Sequence, residues 1–133
     1  MHITGNQQTM HVIPERVDLI KEIIEYFKEK KKALANLGIT NWIIDPGFGF
    51  GKSIADNFKI VKNLKDFSSI ELPILLGVSR KSSIYKTLNI TADDALNGTT
   101  VLHTAGVLNG ASILRVHDVK EAKEVIDLAA YLS

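Results

Sequence analysis

Four short apolar runs recur along this chain, each closing on polar or glycine-rich residues, and this recurrence limits the fold more than any other feature. They fall at residues 1–3, 42–45, 74–77 and 112–116, and end in Thr4-Gly5, Asp45-Pro46-Gly47, Ser79-Arg80-Lys81 and His117-Asp118. The repeat is roughly 30 to 40 residues, the size of one supersecondary unit. Between the runs the apolar residues change to helical spacing. From Pro14 the positions Val17, Ile20, Ile23, Ile24, Phe27, Leu34 and Leu37 predict a helix that Gly38 stops. Ile54, Phe58, Val61, Leu64 and Phe67 predict a second, residues 92–109 a third and residues 121–132 a last. Strand and helix in alternation give an α/β fold with a parallel sheet, here one domain over residues 1–133. Four such units amount to half of a (β/α)8 TIM-type barrel, in which the carboxyl ends of the strands form the active-site face. A half barrel leaves a strand edge open on each side, so the missing half or a second copy of the chain is expected to cover it.

Charge excludes some functions. Sixteen Lys and Arg balance fifteen Asp and Glu, which leaves no global field for nucleic acid or an anionic membrane, and any bound anion must be held locally. Four lysines and a glutamate at residues 28–32 read as a solvated helix face. Cysteine is absent, so disulfides and thiolate metal sites are excluded. No apolar stretch reaches the roughly 20 residues of a membrane span. Met1 to Gly5 runs straight into Asn6-Gln7-Gln8 without a basic and apolar leader, and a cytoplasmic protein is expected.

The segment Asp45-Pro46-Gly47-Phe48-Gly49-Phe50-Gly51-Lys52-Ser53 looks like a phosphate loop, but Pro46 stands where that motif needs its first glycine. What remains is an acid at a strand end, three glycines and two aromatic rings. Asp45 is placed to accept two parallel hydrogen bonds from an amino-heterocycle, with Phe50 as a flat apolar wall. Alternatively Asp45 caps a turn and both phenylalanines are core. Lys52, in the loop beyond the acid with no second cation beside it, is expected to tolerate replacement. Gly77-Val78-Ser79-Arg80-Lys81-Ser82 sets two cations at the end of a buried strand. They are a solvated pair, or one of them points to the barrel mouth, where a lysine donates to a heterocycle. In Arg115-Val116-His117 the strand period puts Arg115 and His117 on one face, two donors for an anion. The alternative pairs Arg115 with an acid and has His117 cap the next helix. His2, His11 and His103 form no metal pattern, and His103 reads as packing.

These segments, together with Met1-His2-Ile3-Thr4-Gly5-Asn6-Gln7-Gln8-Thr9-Met10, resemble in order and spacing the successive motifs of the dihydropteroate synthase family across essentially the whole chain. The resemblance implies the C-terminal half of a (β/α)8 barrel. It implies an enzyme that condenses a dihydropterin-methyl pyrophosphate with 4-aminobenzoate and releases pyrophosphate in folate biosynthesis, with sulfonamides as competitors. Carried over by position, Met1, Asp45, Gly77, Lys81 and Arg115 bind the pterin, Arg115 and His117 hold the diphosphate, and Phe50, Lys81 and Ser82 line the aminobenzoate pocket. Lys81, Arg115 and His117 then carry the catalysis. Mg²⁺ is expected with the diphosphate, its ligands mostly in the half that is missing. With strands one to four absent, turnover by this chain alone is not expected. The competing readings are a pterin-binding methyltransferase of the same superfamily and a non-catalytic half barrel that self-associates, as a homodimer or otherwise.

Overall fold

The computed structural model describes residues 1–5 and 17–132. Helix α1, Leu19–Ala35, is capped by the Asp18 carboxylate, which accepts from the Lys21 amide, and it buries Leu19, Ile23 and Phe27 at four-residue spacing. The expected start at Pro14, like His11 and residues 6–10, lies outside the described residues.

Helix α2, Ile54–Lys62, opens on a capping box made by Ser53 and Asp56. It ends sooner than its apolar spacing predicts, because the Asn63 amide donates to the Lys59 carbonyl at 2.8 Å. The chain continues as a 3-10 turn over Leu64–Ile70. A local side-chain bond that competes with the helical ladder has that effect.

Strand β1, Leu75–Leu76, is followed by a short helix that the periodicity did not predict, α3, Ser82–Leu88. Helix α4, Leu96–Leu108, begins late, since Thr91 and Asp94 bond to each other and hold their turn outside it. Strand β2, Ile113–Leu114, and helix α5, Val119–Ala129, complete the chain. No helix among the described residues is long and apolar enough to cross a membrane.

The four runs lie side by side in the expected order, and where a pairing direction is defined it is parallel. Leu75 and Leu76 pair with Ile113 and Leu114, Ile44 bridges Ile74, and the His2 amide donates to the Asp45 carbonyl at 2.9 Å. Among the described residues regular ladder is confined to β1 and β2, while the first two runs meet their neighbours at a single bridge or hydrogen bond. The arrangement is half of a (β/α)8 barrel. Ile44, Ile74 and Leu76 face the helices and join Ile23, Phe27, Ile60, Leu64, Phe67 and Ile84 in one core.

Side-chain alternation sends the intervening residues to the other, inner face. His2 is buried against Tyr26 of α1, so Met1 and Ile3 point inward, and they are 46% and 43% exposed. Ile43 and Ile113 share that face at 44% and 38%. One strand period further on stand Asp45, Gly77 and Arg115, followed by Ser79 and His117. The inner face is therefore apolar below and polar at the carboxyl rim.

Candidate functional site

At the rim the first wall is the loop after Asp45. The Asp45 carboxylate accepts the Gly47 amide at 2.7 Å through Oδ1, so the turn-capping reading holds for one oxygen. The other oxygen is left to a ligand in this half-exposed position. Phe48 is 1% exposed and belongs to the core, whereas Phe50 stays at the surface of the cleft. Gly47 has φ +75°, and a Cβ there would lie 1.8 Å from the His2 carbonyl oxygen. Only glycine lets the loop pass so close to the first strand.

Lys52 does not behave as its sequence position suggests. It is 7% exposed, and its ammonium donates to the carbonyls of His2 at 3.2 Å, Gly47 at 2.9 Å and Phe50 at 3.0 Å. The expectation of a tolerant loop lysine is corrected by this burial. The ammonium supplies a donor to the carbonyls of His2 and Phe50 and a second one to that of Gly47, which also accepts the Phe50 amide.

The second wall is the turn between β1 and α3. Of the two adjacent cations, Lys81 is the one that turns to the cleft. Its ammonium sits 4.7 Å from the centre of the Phe50 ring and 5.6 Å from that of Phe48, and it donates to the Phe48 carbonyl. Burial, with the Arg115 cation adding to it and Asp45 opposing, lowers the Lys81 pKa to about 8. Ser82 opens α3 directly after it.

Arg80 turns the other way. Its guanidinium grips Asp118 with two bonds of 2.9 and 2.8 Å and also donates to the Ala92 and Asp93 carbonyls. Each partner stabilises the other's charge through these bonds, so the Asp118 pKa is lowered and that of Arg80 raised. Arg80 also holds a left-handed backbone, φ 51°, with its amide donating to the Thr99 hydroxyl.

The third wall is the end of β2. The Arg115 guanidinium lies over Gly77, where a Cβ would come within 2.7 Å of Nη2. Among the described residues this guanidinium makes no ion pair. His117 does not cap α5. Its backbone amide and Nδ1 both meet the Ser79 hydroxyl, at 3.2 and 3.0 Å, which leaves Nε2 for a ligand. Gly77, Ser79, Arg80, Lys81, Arg115 and His117 line one cavity of about 220 Å³. Two donors and a lysine around one hollow, at the amino end of α5, favour an anion.

His103, 2% exposed in α4, is packed as expected, and burial lowers its pKa. The described residues contain no group of three or more His, Asp or Glu suited to a metal ion. Asp118, the acid beside the anion cavity, is held by Arg80, and Ser79 by His117. These residues do not form a Mg²⁺ site.

Sequence reasoning missed three residues. Lys52 and Arg80 were seen as loop cations, and Asn57 was not considered. Asn57 is 2% exposed, accepts the Gly49 amide at 2.7 Å and donates to the Ser83 hydroxyl at 2.9 Å. A polar residue three and four positions before the buried Ile60 and Val61 was the available signal.

The family model of pterin binding enzymes matches residues 1–117. The dihydropteroate synthase of Escherichia coli K12 is 38% identical over 128 residues, which is 95% of this chain and 45% of that protein. That of Bacillus subtilis is 36% identical over 116 residues, 84% of this chain and 41% of that one. Among solved structures, the Yersinia pestis dihydropteroate synthase in complex with a sulfonamide drug superposes with a TM-score of 0.94 at 34% identity, covering 98% of this chain and 48% of that one. The Thermus thermophilus enzyme with 6HMPPP gives 0.91 at 26% identity, covering 98% and 53%. The chain spans about half the length of the curated relatives it matches.

Proposed function

This chain belongs to the pterin binding enzymes, and from that premise we propose that it supplies the pterin and diphosphate half of a dihydropteroate synthase site. In this reading the Asp45 carboxylate accepts from the pterin amino group and ring N–H, and Lys81 donates to the opposite edge. Met1 and Gly77 border the ring, Arg115 lies beside both ring and diphosphate, and His117 completes the diphosphate grip. Phe50, Lys81 and Ser82 form the wall for 4-aminobenzoate, the place at which sulfonamides compete.

The bond between the pterin methylene and the diphosphate oxygen breaks with its electron pair going to pyrophosphate. The electron-rich pterin bears the positive charge left on the methylene. The aromatic amine attacks that carbon and afterwards gives its proton to water. Arg115 and His117 stabilise the charge that grows on the departing oxygens, and donors so aimed are worth about 3–4 kcal/mol each in comparable oxyanion sites. No side chain acts as a nucleophile. The observation that carries the reading is the shared cavity of Lys81, Arg115 and His117 beside Asp45. A methyl transfer would have no use for the Arg115 and His117 pair, since no diphosphate leaves. A cytoplasmic setting is part of the proposal, and the lack of cysteine is compatible with it.

Pyrophosphate titrated into the chain by calorimetry tests this. Arg115→Ala should weaken binding by about 1–3 kcal/mol, roughly 5- to 150-fold. Equal heats from the native chain and the Arg115→Ala/His117→Ala double variant would move the leaving-group site elsewhere.

We propose also that a second copy covers the inner face, where Met1, Ile3, Ile43 and Ile113 are exposed together. Sedimentation velocity should then show a dimer or larger species growing with concentration. A single species at 14.7 kDa at every concentration would sink that idea.

A further inference from the structure

The two walls assigned to 4-aminobenzoate come from different βα units, and besides the Lys81 bond to the Phe48 carbonyl, the side chain of Asn57 joins them. Its Oδ1 takes the Gly49 amide, in the middle of the loop that carries Phe48 and Phe50. Its Nδ2 gives to the Ser83 hydroxyl, in the first turn of the helix that follows Lys81 and Ser82. The Ser53 and Asp56 capping box fixes the start of α2, and the Asn57 amide closes the first turn on the Ser53 carbonyl. Asn57 therefore rides on a fixed helix end, with both links buried or partly buried. A side-chain amide bonded at both ends to two loops holds their separation, because either bond broken leaves a buried polar group without a partner.

We propose that Asn57 is a positioning residue that fixes the gap between the Phe48–Phe50 loop and the start of α3, and through that gap governs recognition of the amine substrate. That this gap receives 4-aminobenzoate rests on the function proposed above. The ring of Phe50 and the ammonium of Lys81 face each other across it at 4.7 Å, so a loop that swings outward separates them and lets water reach the lysine.

The titration of Lys81, followed by NMR of its side chain in the native chain, in Asn57→Ala and in Ser83→Ala, reads the gap directly. In the native chain the midpoint is expected near 8, since burial lowers the Lys81 pKa to about that value. Asn57→Ala should raise it by one pH unit or more toward 10.5, the ordinary lysine value. Ser83→Ala, which cuts only the link to α3, should move it the same way by less, and it serves as the test where Asn57→Ala does not fold. An unchanged midpoint in the folded variants overturns the positioning role. Sulfanilamide binding to the same samples separates the two readings. A native chain that binds it, with Asn57→Ala weakened tenfold or more, fits both. A shifted midpoint with no sulfanilamide binding by the native chain keeps the positioning role and removes the aminobenzoate assignment.

Discussion

Replacing Lys52 by methionine is expected to destabilise the chain by about 2–4 kcal/mol, since each buried acceptor left without a donor costs on the order of 1–3 kcal/mol and the loop recovers part of the loss from water. The methionine fills the space of the stem but gives nothing to the carbonyls of His2 and Phe50, and it leaves the Gly47 carbonyl with the Phe50 amide alone. Those acceptors belong to the first strand and to the loop after the second, so the loss loosens the rim where the two meet. Domains of this size are stable by roughly 5–15 kcal/mol, which makes such a change visible as a large drop in the urea midpoint. Lys62→Met, on the exposed side of α2, is the control and should stay within about 0.5 kcal/mol. Equal midpoints for the two variants would mean that the Lys52 ammonium is solvated in solution.

The opposite result is expected at Lys81. Its folded-state pKa is lowered from 10.5 to about 8, chiefly by burial, so the charged form is disfavoured by folding. A displacement of that size corresponds to roughly 3 kcal/mol, which the partial solvation of the ammonium reduces to about 1–2 kcal/mol. The penalty is fully present below pH 8. Between about 8 and 10.5 the unfolded chain holds the proton that the folded chain has released, so stability rises with pH through that window. Lys81→Met should therefore be more stable than the native chain at pH 7, with the difference closing by pH 10.5, as denaturant unfolding at several pH values would record. If the proposed function holds, the same variant should also bind pterin and sulfonamide more weakly than the native chain. A gap of stability that does not change with pH, or a native chain that is the more stable at pH 7, would contradict this account. A side chain that costs stability at a candidate binding site is a familiar exchange.

The strands were legible because each apolar run ends on residues that make no sense in a core, such as Asp45 or Arg115. The period of two places Arg115 and His117 together, and both line the same cavity. Helix α3 was not legible. Its seven residues are too few for a helical period to rise above chance, and its geometry is held from outside, by Asn57 on Ser83. Lys52 failed for a related reason. Its partners are backbone carbonyls, which carry no sequence signal, and one of them is fifty residues away. The choice between Arg80 and Lys81 was open in the sequence because adjacent residues differ only in direction, and the direction was settled by Asp118.

Arg80 leaves little freedom to mutation. Its backbone angle suits glycine, and its two-pronged hold on Asp118 together with the Ala92 and Asp93 carbonyls suits only a guanidinium. Glycine would relax the turn and release α5 from the loop after β1. Lysine would keep a charge but lose the fork, and it would still bear the strain of the left-handed angle. The usual remedies for a strained position and for a lost ion pair thus exclude each other at residue 80. Drift there has almost nowhere to go, since the guanidinium is spent on Asp118 and two backbone carbonyls.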